Sequence, residues 1–235
     1  MLSTLEFIAQ LERLDYNRSG IFERFQVNLN IGEFFTFLKN TDINPIASHD
    51  GMLSIVKDSG ELTTDYSKQS LNFDFHTDGL YYKNIPPLVI LYCANPGYGS
   101  TNTLFADSFD IIDQLDDYLT TLQKLGVVYV GRDGTQYFSR LIQQHPRTNE
   151  KCLVFGSRAF LRPDIESIPV NNLPSIREIC NAGKQLLGAI DTCHKIAHKW
   201  QTNDLIVFDN IRYLHARASE GQDTNRELFR IWLSK

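Results

Sequence analysis

Leu71-Asn72-Phe73-Asp74-Phe75-His76-Thr77-Asp78-Gly79 alternates apolar and polar residues and then runs into a glycine. Alternation with a period of two is the pattern of a strand with one buried face. Side chains two apart on a strand project from the same face, so His76 and Asp78 can reach one ion together. A blander reading of the triplet is a strand end whose aspartate turns the chain before Gly79. A metal needs a third ligand, and the tail segment Phe208-Asp209-Asn210-Ile211-Arg212-Tyr213-Leu214-His215-Ala216-Arg217 offers His215. Two imidazoles and one carboxylate are the ligand set expected of non-haem Fe(II) oxygenases, and they leave positions open for substrate and oxygen. Taken alone, His215 reads equally as a satisfied histidine at the end of a strand.

The neighbouring segments extend the β pattern in both directions. Pro86 and Pro87 precede the apolar run Leu88 to Cys93, which suits a buried strand, and Asn95-Pro96-Gly97-Tyr98-Gly99 signals a turn. Thr103 to Ala106, Leu205 to Phe208, Tyr213 to Ala216 and Glu227 to Leu233 read as further short strands. Three helices are predicted. The first carries a capping-box pattern at Ser3 and Glu6 with Leu5, Ile8 and Leu11 behind it. The second spans 109–125, with Ile112, Leu115, Leu119 and Leu122 as its stripe and Gly126 as its stop. The third lies within 175–191, after Pro174 and Ser175. The stretch 51–70 is polar and poorly periodic, so it is expected to be irregular or to hold strands joined by loops. Many short strands with turn signals predict a mainly β fold with flanking α-helices, a jelly roll or sandwich. One domain over 1–235 is expected, with a helical insertion near 108–126 and a helical segment near 175–191.

Composition narrows the partners. The 235 residues carry a net charge of -5 with scattered Lys and Arg, which argues against a nucleic-acid partner. No apolar stretch approaches transmembrane length, and the N-terminus lacks the basic and apolar segments of a signal peptide. Cys93, Cys152, Cys180 and Cys193 lie far apart without a CxxC pair, so free thiols in a reducing cytoplasm are expected. His194-Lys195-Ile196-Ala197-His198 resembles half of a zinc-protease motif, but Lys195 stands where the general-base glutamate is needed. The segment alternates as a strand instead. Nothing marks Cys193 as an activated thiolate. His49 and His145 read as loop residues.

His76-Thr77-Asp78-Gly79 and Phe208 to Arg217 together resemble the two signature segments of the taurine dioxygenase-like (TauD/TfdA) superfamily. Gly99 to Asp107 is similar to the family's Gly-rich turn that ends in a cosubstrate-binding threonine. His145-Pro146-Arg147-Thr148-Asn149-Glu150 and Trp200 to Asp204 resemble two further family segments. The matches keep the family's order and span about 76–232. The resemblance implies a double-stranded β-helix (cupin-like) whose mouth holds Fe(II) on His76, Asp78 and His215. It also implies 2-oxoglutarate and O2 as cosubstrates, and decarboxylation to succinate and carbon dioxide coupled to oxidation of a small-molecule substrate. Hydroxylation is the default outcome. Desaturation, epoxidation and ring formation share its first step, while Asp78 fills the position a halide would need.

The last strand supplies the expected cosubstrate anchor. On a strand, Arg226, Leu228, Arg230 and Trp232 share one face, and two guanidinium groups buried there would each cost several kcal/mol without an anion. A dicarboxylate answers that cost, because guanidinium grips carboxylate through two parallel hydrogen bonds. The spacing from His215 (226 − 215 = 11 residues) matches the family arginine for the far carboxylate of 2-oxoglutarate, which assigns Arg226. Thr103 is expected to add a hydroxyl hydrogen bond. Arg230 is expected to contact the substrate or support the same pocket, with Asn72 and Tyr81 as further substrate candidates. Two alternatives stand beside this reading: a non-catalytic jelly roll that binds a small molecule, and a zinc-dependent hydrolase.

Overall fold

The computed structural model describes residues 1–15, 20–40, 43–47, 51–57, 73–80, 82, 84–97, 102–130, 134–156, 160–218 and 225–234. Strand β1 (Leu2–Ser3) leads into helix α1 (Thr4–Arg13), followed by β2 (Phe22–Asn28), α2 (Ile31–Leu38), β3 (Pro45–Ile46) and β4 (Ser54–Lys57). Next come β5 (Phe73–His76), β6 (Leu88–Asn95), β7 (Asn102–Asp107), α3 (Ser108–Ile112) and α4 (Asp116–Leu122). Four short strands follow: β8 (Leu125–Val130), β9 (Gln136–Arg140), β10 (Ile142–Gln144) and β11 (Lys151–Leu153). The chain finishes with β12 (Phe160–Pro163), α5 (Ile176–Thr192), β13 (Lys195–Lys199), β14 (Asp204–Asp209), β15 (Tyr213–Ala218) and β16 (Glu227–Leu233).

Two sheets carry the architecture. The larger has the order β1-β2-β14-β6-β16-β3, with β4 also along β16, and the smaller has the order β13-β7-β15-β5. From β5 to β7, and again from β13 to β16, the chain switches sheet at every strand. That winding makes a double-stranded β-helix, or jelly roll, with helices on both flanks.

Side-chain alternation sorts the residues into layers. On β6, Leu88, Ile90 and Tyr92 pack with Phe7, Leu11, Phe34 and Leu38 of α1 and α2. Val89, Leu91 and Cys93 point the other way, to Phe105 and Tyr213 of the smaller sheet. A strand covered on both faces has no polar side, which is why Leu88–Cys93 reads as an unbroken apolar run. The far face of the smaller sheet, through Ala106 and Leu214, meets Ala182, Leu186 and Ile190 of α5.

Helix α1 starts where its capping box predicts, at Ser3/Glu6, and α5 starts after Ser175 as expected, where the structure adds a second capping box with Glu178. The insertion differs from the single helix expected over 109–125. Asp107 caps α3, the chain breaks after Ile112, and α4 resumes at Asp116, so two short helices send Ile112, Leu115 and Leu122 into one cluster. Gly126 lies within β8 rather than at a helix stop, opposite Arg140 of β9. A Cβ there would strike the Phe138 ring. Strand β2 and helix α2, which the sequence reading left unassigned, add an edge to β14 and a lid of phenylalanines beneath β6. Of the stretch 51–70, the described part supplies β4; residues 58–70 lie outside the described residues, as do Asn72, Tyr81 and His49.

Candidate active site

His76 ends β5 and His215 sits directly opposite it on β15, so their rings approach to 4.2 Å between centroids. Asp78 follows two residues later, with one carboxylate oxygen 3.6 Å from His76 Nε2 and the other 3.9 Å from His215 Nε2. One potential ligand atom from each of the three residues lies within 4.8 Å of the others. His76 Nδ1 is 2.9 Å from the Asp74 carbonyl, which can only accept, so Nδ1 carries the proton and Nε2 keeps its lone pair. Burial, reinforced by neighbouring His76, pushes the His215 ring down to about 3, so it is neutral at physiological pH. Burial alone would raise the Asp78 carboxyl, but Arg230 and the two histidines hold it well below the usual carboxylate range. Two imidazoles and one carboxylate, converging beside a pocket, fit a divalent transition metal.

Backbone geometry places the aspartate. Gly79 adopts φ +75°, and a side chain there would run into the Pro86 ring, so the residue after Asp78 has to be glycine-like. Asn210 clamps the same loop from 132 residues away. Its Oδ1 accepts from Asp78 N (2.9 Å), while its Nδ2 donates to the carbonyls of Asp78 (3.0 Å) and Pro86 (2.8 Å). The carboxylate itself is fixed by two donors from one face of β16: Arg230 Nη1 at 3.0 Å on Oδ1 and Trp232 Nε1 at 3.1 Å on Oδ2. Arg230, expected to meet the substrate or support the pocket, is thus tied to the Asp78 carboxylate.

The turn between β14 and β15 is braced from below. Asp209 is fully buried and accepts from Ile211 N and Arg212 N through Oδ1, and from His145 Nε2 (2.9 Å) and Arg147 Nη2 (2.7 Å) through Oδ2. His145 Nδ1 accepts from Arg147 N and Thr148 N, which puts the ring proton on Nε2. His145 lies in the loop between β10 and β11, as expected, but it is buried there as a strut, because Asp209 needs a donor where water cannot reach.

A half-open pocket lies beside the histidines and is lined by His76, Thr103, His215, Arg217, Arg226 and Arg230, among others. Five of the residues expected at the site therefore line it, and Asp78 lies behind them. Arg226 is buried, and its Nη1 makes no hydrogen bond although the side chain is otherwise engaged. Thr103 faces the same space and accepts a hydrogen bond from Trp200 Nε1 at 2.8 Å. Among the described residues the half-motif at His194–His198 joins no metal group: His198 Nε2 lies 3.1 Å from Asp204 and its ring stands edge-on to Trp200. The sequence reading missed Asn210, the indole donors of Trp200 and Trp232, and Arg217. Of these, Arg217 carries a sequence signal in its position two residues beyond His215, and Trp232 in the strand face it shares with Arg226 and Arg230.

Comparison with known proteins bears on this geometry. Residues 23–232 match the sequence model of the taurine catabolism dioxygenase TauD, TfdA family. That match begins well before residue 76, where the resemblance was expected to start, and takes in β2. The chain is 25% identical over 173 residues to a tyrosine isonitrile desaturase of Pseudomonas aeruginosa, covering 66% of this chain and 57% of that protein. It is 22% identical over 196 residues to an alpha-ketoglutarate-dependent sulfonate dioxygenase of Saccharomyces cerevisiae, covering 74% of this chain and 45% of that one. The chain thus spans about half the length of these curated relatives. Among solved structures, PvcB, an Fe, alpha-ketoglutarate dependent oxygenase from an isonitrile synthetic pathway, aligns with a TM-score of 0.72 at 16% identity, over 99% of this chain and 85% of that one. This likeness carries the fold.

Proposed function

We propose that this chain, which belongs to the taurine catabolism dioxygenase TauD, TfdA family, is an Fe(II)- and 2-oxoglutarate-dependent oxygenase that oxidises a small anionic molecule. The observation that carries the reading is the convergence of His76, Asp78 and His215 beside a pocket that also holds buried Arg226. When bound, the iron and its cosubstrate supply the oxidising power: one oxygen molecule decarboxylates 2-oxoglutarate to succinate and carbon dioxide and converts a substrate C–H to C–OH.

The protein's own groups bind and orient. His76 and His215 present neutral nitrogen lone pairs, and Asp78 presents an ionised oxygen held in place by Arg230, Trp232 and Asn210. Arg226 grips the far carboxylate of 2-oxoglutarate through its planar fork, with Thr103 donating a hydroxyl hydrogen bond. Arg217, at the partly buried end of the same pocket, adds positive charge that favours an anionic substrate. Sulfonates and amino-acid-derived acids are the chemical classes suggested by the names of the two curated relatives. Hydroxylation is the outcome assigned first, with desaturation sharing the same C–H abstraction. Four free cysteines, three of them buried, suit a reducing cytoplasm.

The test is succinate release from 2-oxoglutarate by iron-loaded protein, with and without a panel of sulfonates, amino acids and N-modified amino acids. A compound that accelerates succinate formation and gains one oxygen atom, or loses two hydrogens, supports the proposal. Folded, iron-loaded protein that consumes no 2-oxoglutarate with any compound would favour a non-catalytic binding protein.

A further inference from the structure

Thr103 poses a problem of hydrogen-bond accounting. A threonine hydroxyl has one proton to give and two lone pairs to receive. The indole of Trp200 can only donate, and its Nε1 lies 2.8 Å from Thr103 Oγ1, so one lone pair is occupied and the hydroxyl proton is left over. Both residues are 4% exposed, so anything that takes that proton has to reach it through the pocket. Among the described residues the Thr103 hydroxyl has no acceptor, yet it lines the pocket beside His215 and Arg226. A buried donor without an acceptor is costly, which makes this one a site for a ligand oxygen.

Trp200 is itself held rigidly. It follows β13, whose His198 is in register with Thr103 on β7, and the His198 ring packs edge-on against the indole at 4.5 Å. His198 is anchored by Asp204 at 3.1 Å, and Asp204 also accepts from Gln201 N at 2.7 Å, immediately beyond the tryptophan. The indole ring is further packed with Val89, Leu91 and Phe105 inside the sandwich. An N–H so fixed leaves the hydroxyl little freedom to rotate.

We propose that Trp200 is a positioning residue for the cosubstrate: its indole N–H occupies Thr103 Oγ1 so that the Thr103 proton points into the pocket, toward a carboxylate oxygen of 2-oxoglutarate. The proposal rests on the reading of the pocket given above. Trp200 touches neither metal nor cosubstrate, and its effect passes through Thr103 alone.

That last point makes the proposal testable by a double-mutant cycle. The probe is 2-oxoglutarate, titrated anaerobically into Fe(II)-loaded protein while the metal-to-ligand charge-transfer band is followed. Trp200→Phe keeps an aromatic ring and removes the donor; it should weaken 2-oxoglutarate about tenfold and leave Fe(II) affinity unchanged. Thr103→Val should weaken binding at least as much. In the Thr103→Val background, Trp200→Phe should cost nothing further, whereas in Thr103→Ser, which keeps the hydroxyl, the full loss should return. Equal losses in the wild-type and Thr103→Val backgrounds would make Trp200 merely structural and overturn the proposal, as would wild-type affinity in Trp200→Phe. If Trp200→Phe does not fold, 3-benzothienylalanine at position 200 removes the N–H while keeping the bicyclic ring, and the same cycle is run with it. Failure of the reading is distinguishable: wild-type protein that binds Fe(II) but develops no band with 2-oxoglutarate would overturn both, while a normal wild-type band with an additive cycle overturns this inference alone.

Discussion

Replacing Arg226 with alanine removes a guanidinium that is 4% exposed and faces the pocket beside Thr103 and His215. If Arg226 grips the far carboxylate of 2-oxoglutarate, its loss leaves that carboxylate buried against an uncharged wall. Breaking one partner of a buried charge pair costs about 3–5 kcal/mol, or about two to three and a half orders of magnitude in affinity. His76, Asp78 and His215 are untouched, so Fe(II) affinity should hold. Lysine should recover only part of the loss, because an ammonium cannot reproduce two parallel hydrogen bonds. Arg230→Ala should behave differently: its Nη1 sits 3.0 Å from Asp78 Oδ1, so its loss is expected in the metal site and its stability. The assay is an anaerobic titration of 2-oxoglutarate into each Fe(II)-loaded variant, with iron affinity measured separately. Near-normal 2-oxoglutarate affinity in Arg226→Ala, together with a large loss in Arg230→Ala, would refute the division of roles argued from the structure.

Asn210→Ala strips three hydrogen bonds from buried backbone groups around Asp78 and Pro86; at about 1 kcal/mol or more each, thermal denaturation should show a midpoint lowered by about 6–12 °C, with weaker metal binding. Burial would raise the Asp209 carboxyl, but the hydrogen bond from His145 and the charge of Arg147 lower it overall, so its stabilising effect is present above its unfolded value of about 4 and is lost as pH falls through the lowered one. Asp209→Asn should therefore be less stable than the parent at neutral pH, and urea titrations should show a shallower loss of stability below about pH 4; parallel curves would contradict this. Burial pushes the Cys93 and Cys152 thiols up to about 12 and raises Cys193 as well, while Cys180 is exposed. A chromogenic disulfide reagent should thus titrate one thiol rapidly in the folded chain and all four in denaturant.

What the sequence revealed follows the range of the interactions involved. Strands β5, β6, β7, β14, β15 and β16 were legible because alternation, or an unbroken apolar run between turn residues, is a local pattern. Helix starts at Ser3 and Ser175 were legible because a capping box at Ser3/Glu6, and a Pro-Ser pair ahead of an apolar stripe, are both confined to a few residues. Strand β2 was not, since Phe22-Glu23-Arg24-Phe25-Gln26 has no clean period and owes its conformation to pairing with β14. The apolar stripe at Ile112, Leu115, Leu119 and Leu122 suits one helix or two, and only packing onto the shared cluster decides between them. At the site, His76 and Asp78 share a strand face and so could be paired by spacing. His145 could not be paired with Asp209, nor Trp200 with Thr103, nor Trp232 with Asp78, because those contacts close over 64, 97 and 154 residues. The residues that converge on the pocket were named from the sequence, while most of the contacts that pack around them close over distances no local pattern records.

The proposed chemistry requires that His76, Asp78 and His215 hold one iron. Anaerobic equilibrium dialysis against Fe(II), with iron and protein quantified on the same sample, tests it most directly. Wild-type protein should bind one Fe(II) per chain, and each of His76→Ala, Asp78→Ala and His215→Ala should lose binding severely, in variants that circular dichroism shows to be folded. Wild-type protein without iron, or three variants that all retain full affinity, would contradict it.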